Sequence, residues 1–326
     1  MFEKLHIFLG ATVADAAARP LHWVYNEKKL KSFIKNKKNI TFLKKNRSPF
    51  YSIKTGEVSG YNDVGQVMFK TLTQTKDQKN IIINFKKNIV KNFGPSSNYW
   101  KNLKLRKKYK KIKWQTAMKG PWIHQNILET IKNIKLKKTI TGGTKVNESD
   151  GYCAALPYSL FINSDQKLKK VIRTVANGKI SEQFALAKLK IINLADVGNK
   201  DPVNSFVRLY SKNDYFKNVI ENIKKVKKVK NKPHNIVVKK FGKACSYPGT
   251  FNGSIHAIIT SKNYKNAIIK TIKAGGCNCS RANFVGAYFA AKNGLKGIPK
   301  DWIRKTNPAK NILLYMLPSR NNLFKV

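Results

Sequence analysis

Only 16 of the 326 residues are acidic, so each carboxylate outside a surface ion pair is a candidate for chemistry. Asp63 lies in Ser59-Gly60-Tyr61-Asn62-Asp63-Val64-Gly65-Gln66, a polar loop that runs into a helix. A carboxylate at such a helix start either caps backbone N–H groups or binds a hard divalent cation beside them. Gly275-Gly276-Cys277-Asn278-Cys279-Ser280-Arg281 is a second turn into a helix, of the kind that offers N–H groups and a favourable dipole to a phosphate. A third polar cluster, Asn147-Glu148-Ser149-Asp150-Gly151-Tyr152, precedes the apolar stretch Cys153–Phe161. Read one at a time, these are a helix cap, a glycine C-cap followed by an N-cap, and a surface turn.

The thiols and imidazoles add less. Cys277-x-Cys279 with Cys153 and Cys245 would supply four sulfurs, but a single intervening residue does not match common zinc-finger spacings, so zinc is not expected. Nothing in the sequence sets His22, His124 or His256 beside a particular thiol, so a Cys/His nucleophile is not expected either. Four dispersed cysteines are too few for a disulfide-stapled scaffold, and a cytoplasmic protein is the expectation.

The elements that must position these residues are helical. From Phe2 to Ala18 small and apolar residues form one broad face, and Arg19-Pro20 ends the run. This segment loosely imitates a signal peptide, but Asp15 interrupts it, and a folded first helix is the expected reading. Val64, Val67, Met68 and Leu72 recur at helical spacing, with Asp63 in the N-cap position. Ile82, Phe85, Ile89 and Val90 do the same. Asp214 is placed to cap a helix that buries Tyr215, Val219, Ile220, Ile223 and Val226. Tyr264, Ile268, Ile269 and Ile272 line another, closed by Gly275-Gly276. A helix carrying Phe284, Val285, Tyr288 and Phe289 ends at Gly294, and Pro299 opens a short one through Trp302. The segment from Lys28 to Thr55 reads as loop, and Gly94-Pro95-Ser96-Ser97 as a break. Strand-like alternation is weak and no repeat is visible. The expectation is an all-α fold, a single compact multi-helix domain over 1–326.

The net charge is +49, which invites a nucleic-acid reading. Only eight of the 65 basic residues are arginine, however, and arginine is the residue that reads bases and clamps phosphates bidentately. The lysines are spread along nearly the whole chain and travel with Asn and Ile, as an A+T-rich coding sequence would produce. Composition drift is the expected source of the charge, with a selected polyanion-binding surface as the alternative, and no specific nucleic-acid partner is expected. The dense runs Lys101–Lys113 and Lys224–Lys232 read as solvated helix faces or loops. No apolar run reaches the roughly 18–20 residues that a membrane span needs.

Taken together and in order, these clusters resemble the ADP-ribosylglycohydrolase family, and most closely its J1-crystallin-like branch. Gly10-Ala11-Thr12-Val13-Ala14-Asp15-Ala16 is similar to the family's first-helix pattern, and Pro20-Leu21-His22-Trp23-Val24-Tyr25 resembles a sequence of that branch. Pro49-Phe50-Tyr51 through Thr55-Gly56 looks like the branch's loop before the second motif. Tyr61-Asn62-Asp63 resembles the start of that motif. Ala274–Arg281 looks like its C-terminal motif, and Gly297–Trp302 like its closing segment. The resemblance implies an all-α domain with a central cleft, usually two Mg²⁺ or Mn²⁺ ions, and hydrolysis of the glycosidic bond joining ADP-ribose to an acceptor. It implies Asp63 and Asp150 as catalytic residues and Tyr61, Gly275, Gly276 and Asn278 as substrate-binding ones. Asp63, Ser280 and Cys277 are then the metal-site positions.

Partners would be an ADP-ribose-containing small molecule or an ADP-ribosylated protein. Cysteines stand at 277 and 279 where active members carry aspartates. A thiol is a poor Mg²⁺ ligand, so the expected metal site is weakened or lost. The alternative is a catalytically silent member that binds ADP-ribose-like ligands or serves as a structural, crystallin-like protein.

Overall fold

The computed structural model describes residues 3–109 and 117–317. Among these, helices dominate, in chain order α1 Leu5–Ala18, α2 Glu27–Ile34, α3 Gly60–Gln74, α4 Ile81–Phe93, α5 Asn98–Tyr109 and α6 Gln125–Lys135. They continue as α7 Asp150–Ser159, α8 Asp165–Val175, α9 Lys179–Asp196, α10 Pro202–Leu209, α11 Lys217–Lys227 and α12 His234–Phe241. The last five are α13 Gly249–Ile259, α14 Tyr264–Lys273, α15 Asn278–Asn293, α16 Lys300–Arg304 and α17 Ala309–Leu314. Two two-residue strands, β1 Tyr51–Ser52 and β2 Met118–Lys119, pair in parallel with Tyr51 opposite Met118. The fold is all-α and forms one domain. The part of the Lys101–Lys113 run beyond Tyr109 lies outside the described residues.

Burial explains the layering. Helix α1 is buried over all but one of its residues, as a helix that is apolar all round must be. Its main partner is α15, equally buried. The two approach closely at Gly10 and Gly286. A Cβ on Gly10 would meet Gly286 O at 2.7 Å and overlap Ala290 Cβ, and one on Gly286 would lie 2.5 Å from Ala14 Cβ. Helices α9, α13 and α14 cover α15, and α7 joins α3 to α8 and α9. The outer helices are amphipathic: α8 and α11 bury Val, Leu and Ile on one face and turn lysines outward. Lys188 on α9 is the one buried lysine among the described residues.

Several expected boundaries shift by a turn. Helix α3 begins at Gly60, so Asp63 sits in its first turn instead of at the cap, and Ser59 takes the N-cap position. Asn213, one residue before Asp214, caps the turn Asp214–Phe216 by accepting from Tyr215 N at 2.9 Å, and α11 follows. Tyr215 is only half-buried there. Within the segment expected as loop, Asn26 caps α2 through Lys29 N at 2.9 Å. The break at Gly94 and the stop at Gly294, with φ of +68°, stand where they were expected.

Candidate functional site

The first helix sets the frame through one carboxylate. Asp15, fully buried, accepts from Ser59 N at 2.6 Å, Ser59 Oγ at 2.7 Å and Asn283 Nδ2 at 2.6 Å. It thereby ties α1 to the start of α3 and to the second turn of α15. Burial raises its carboxyl to about 6, against the lowering effect of those donors. After α1 the chain turns at Arg19–Leu21 and runs antiparallel to the Gly275–Gly276 turn. Trp23 N donates to Gly276 O at 2.8 Å, and Gly276 N donates to Val24 O at 2.9 Å. Both glycines have positive φ, +70° and +65°, and a Cβ on Gly275 would strike Val24 O at 2.7 Å. Only glycine admits this approach. His22 is thereby set against Cys277, although the two are 255 positions apart.

Cys277 is the N-cap residue of α15 and is fully buried. His22 Nε2 lies 3.5 Å from its Sγ, and Tyr61 OH lies 3.8 Å from it. His22 Nδ1 is hydrogen-bonded to Tyr51 OH at 2.9 Å, which fixes the ring. Cys245, half-buried on the loop before α13, accepts from Trp23 Nε1 at 3.1 Å. Burial opposes ionisation of Cys277, but Cys245 and His22 outweigh it and hold the thiol well below its ordinary value. Burial keeps His22 below its ordinary value, against the raising effect of Cys277.

A second cluster faces this one across Tyr61. Its hydroxyl donates to Glu148 Oε2 at 3.0 Å. His124 Nδ1 is paired with Asp150 Oδ1 at 2.7 Å, and Asn126 Nδ2 donates to Asp150 Oδ2 at 3.0 Å. His124 can lie against α3 because Gly60 has no side chain: a Cβ there would stand 3.1 Å from His124 Nε2. Burial alone would lower His124, but the Asp150 carboxylate holds it above its ordinary value. Burial and the neighbouring Asp150 push Glu148 up to about 7. His124, Glu148 and Asp150 each bring a ligand atom within 4.8 Å of the others, the one such group among the described residues. Trp23, Phe50 and Trp122 form an edge-to-face cluster beside it, with centroids 5.5–5.7 Å apart.

The structure therefore sorts the expected residues. Tyr61 and Asp150 share the site, and Cys277 lies on its wall. Asn62 is bound to Asn283 Oδ1 at 2.7 Å. Asp63 points elsewhere: it accepts a hydrogen bond from Tyr99 OH and lines a separate cavity of about 430 Å³ with Gln66, Lys70, Asn92 and Tyr315. Burial raises its carboxyl to about 7.

Ser280 Oγ donates to Cys277 O at 2.9 Å, and Cys279 Sγ is directed at Asp15 O at 3.8 Å. The Ser280 hydroxyl and the Cys279 thiol are thus each directed at a backbone carbonyl, while Asp63 is engaged by Tyr99. The N–H groups of Gly275, Gly276, Cys277 and Asn278 all bond within the chain, to Ile272 O, Val24 O, Lys243 O and Gly276 O. Asn278 donates its side-chain amide to Ala18 O at 3.3 Å. The turn thus serves to hold the Trp23–Val24 segment. His22, His124 and Glu148 were missed as partners because only the fold brings them together. The i, i+2 spacing of Glu148 and Asp150 was the available signal.

Residues 5–320 match the family model described as ADP-ribosylglycohydrolase. Crystallin J1A of Tripedalia cystophora is 28% identical over 323 residues, covering 94% of this chain and 92% of the relative. Crystallin J1B of the same animal is 28% identical over 316 residues with the same coverage. A solved chain titled "ADP-ribosylglycohydrolase-related protein complex" superposes with a TM-score of 0.62 over 95% of this chain and 94% of that one, at 13% identity, and so shares the fold.

Proposed function

Because the chain belongs to the ADP-ribosylglycohydrolase family, we propose that it binds an ADP-ribose-containing molecule or an ADP-ribosylated protein and hydrolyses the ribosyl glycosidic bond beside His124, Glu148 and Asp150. The convergence of these three side chains across Tyr61 carries the reading. An imidazole and two carboxylates suit a divalent ion of the Mg²⁺ or Mn²⁺ class, or a borderline one. Such an ion, when bound there, orients ribose oxygens and lowers the pKa of an attached water.

The chain's own residues prepare the group. Asn126 fixes the Asp150 carboxylate, Asp150 fixes the His124 ring, and Tyr61 anchors Glu148. The Trp23, Phe50 and Trp122 rings exclude water from one side. Glu148 keeps its proton up to about pH 7, so ion binding must release that proton. Affinity for the ion therefore rises as pH increases through 7 and falls below it.

One observation favours a second reading, a silent member that binds the ligand without cleaving it. Cysteines replace carboxylates at 277 and 279, and the Ser280 hydroxyl is turned into its own helix. Calorimetry with ADP-ribose and Mn²⁺, followed by an assay for release of ADP-ribose from ADP-ribosylated protein, separates the two. Hydrolysis that Glu148→Gln abolishes supports the first reading. Ligand binding without turnover supports the second, and absence of both refutes both.

A further inference from the structure

The cavity that Asp63 lines plays no part in that hydrolysis, and its volume of about 430 Å³ is that of a small-molecule site. One Asp63 oxygen accepts from Tyr99 OH, and the other has no hydrogen-bond partner among the described residues. In a chain with 65 Lys and Arg, no ion pair among the described residues includes this carboxylate. The neighbouring amides are turned to accept as well. Asn283 Nδ2 donates to Cys279 O at 3.0 Å, so its Oδ1 accepts from Asn62 Nδ2 at 2.7 Å. Asn62 Oδ1 in turn accepts from Gln66 Nε2 at 2.8 Å, which leaves Gln66 its oxygen. Asn92 is left its oxygen too, because Nδ2 donates to Asn88 O at 2.8 Å. Both amides line the cavity. Two edge-to-face ring pairs complete the wall, Phe93 with Tyr99 at 4.7 Å and Phe69 with Tyr315 at 5.5 Å. Among the described residues the one cation lining it is Lys70, which is exposed.

We infer that this cavity binds a primary alkylammonium, with its nitrogen on the Asp63 carboxylate and its carbon stem against the rings. An ammonium brings three N–H donors and no acceptor, which suits a wall whose oriented polar atoms are acceptors. Aromatic faces attract a cation and also take up methylene groups. A hard metal ion gains nothing from the rings and asks for about six oxygens, and an anion would meet the carboxylate. The net charge of +49 repels amines from the outer surface, so a saturable amine site marks a built pocket. Binding here is independent of the ADP-ribose reading.

The test titrates the full chain with n-butylammonium chloride at pH 8, followed by calorimetry and saturation-transfer NMR. At that pH the amine is charged, and Asp63, raised to about 7, is ionised. One saturable site with a Kd of about 1–10 mM is expected, the order open to so small a ligand. Butanol lacks the charge and tetramethylammonium the N–H donors, so each binds about tenfold more weakly or worse. Asp63→Asn keeps an acceptor for Tyr99 and weakens amine binding by about tenfold or more. Lys70→Gln, at an exposed position where folding is not at stake, tightens it about two- to fivefold. Glu148→Gln leaves it unchanged. No saturable binding, equal affinity for butanol or tetramethylammonium, or full affinity in folded Asp63→Asn overturns the assignment. So does no gain in Lys70→Gln, loss in Glu148→Gln, or displacement of the amine by an equal concentration of Mg²⁺.

Discussion

Replacing Lys188 with methionine should stabilise the protein, and by an amount that depends on pH. Its ammonium is fully buried, and its hydrogen-bond partners are hydroxyls, Ser149 Oγ at 3.1 Å and Tyr247 OH at 2.9 Å. Burial drives it from an ordinary 10.5 down to about 7. At 1.36 kcal/mol per pKa unit that is a destabilisation of about 5 kcal/mol for the charged form. Three ring faces offset part of it: Nζ stands 4.7 Å from the Tyr152 and Tyr247 centroids and 5.5 Å from that of Phe284. Such contacts amount to about 2 kcal/mol when desolvated, leaving about 3 kcal/mol.

The folded-state pKa is depressed, so the penalty is fully present at low pH and fades as pH rises toward the unfolded-state value. Methionine matches the length of the stem, and Ser149 Oγ and Tyr247 OH remain paired with each other at 3.2 Å. Urea unfolding of both proteins should show the variant ahead by about 3 kcal/mol at pH 7, shrinking to about 1 kcal/mol or less near pH 10. The difference at each pH cancels all other titrating groups. A variant that is no more stable at pH 7, or an advantage independent of pH, would refute the account.

Three further outcomes follow from the packing and the site. Gly10→Ala forces a Cβ into Gly286 O and Ala290 and should cost about 3 kcal/mol by thermal or urea unfolding, the upper end of overpacking. Gly198→Ala, where no atom lies within 4 Å but φ is +79°, should cost only about 1 kcal/mol. Cys277→Asp should raise Mn²⁺ affinity about tenfold by calorimetry, of the order that a single change around a metal makes. That gain should vanish with Glu148→Gln and survive Asp63→Asn, because Asp63 faces a different cavity.

What the sequence made legible was the part written in local periodicity. The Ile81–Phe93 and Tyr264–Lys273 helices carry their apolar faces every three to four residues, and Gly94 and Gly294 mark helix stops, the second in the left-handed region that favours glycine. The two ends of the site were visible as motifs. Which side chain of a motif faces the site was not, because successive helical residues point about 100° apart. Tyr61 and Asp63 are two positions apart and face opposite sides of α3, so the carboxylate lies away from the site and the phenol inside it. The His22–Cys277 and His124–Asp150 pairs are tertiary contacts with no local signature. Asp15 shows the converse. An acid in an apolar helix looked like an interruption, and it is the acceptor that joins three helices.

The pairing of Val24 with Gly276 also sets the timing of assembly. A ribosome delivers the Trp23–Val24 segment early, and its partner turn only after most of the chain has emerged. Until then α1, apolar on every side, has no α15 to pack against, and His22 has no thiol beside it. Contacts this distant in sequence close slowly and leave sticky surface uncovered meanwhile. The nascent chain thus passes through a long interval with its most hydrophobic helix exposed, and in that interval holdase chaperones have most to bind. A chain terminated before residue 278 should fail to fold as a unit, whatever the integrity of its peripheral helices.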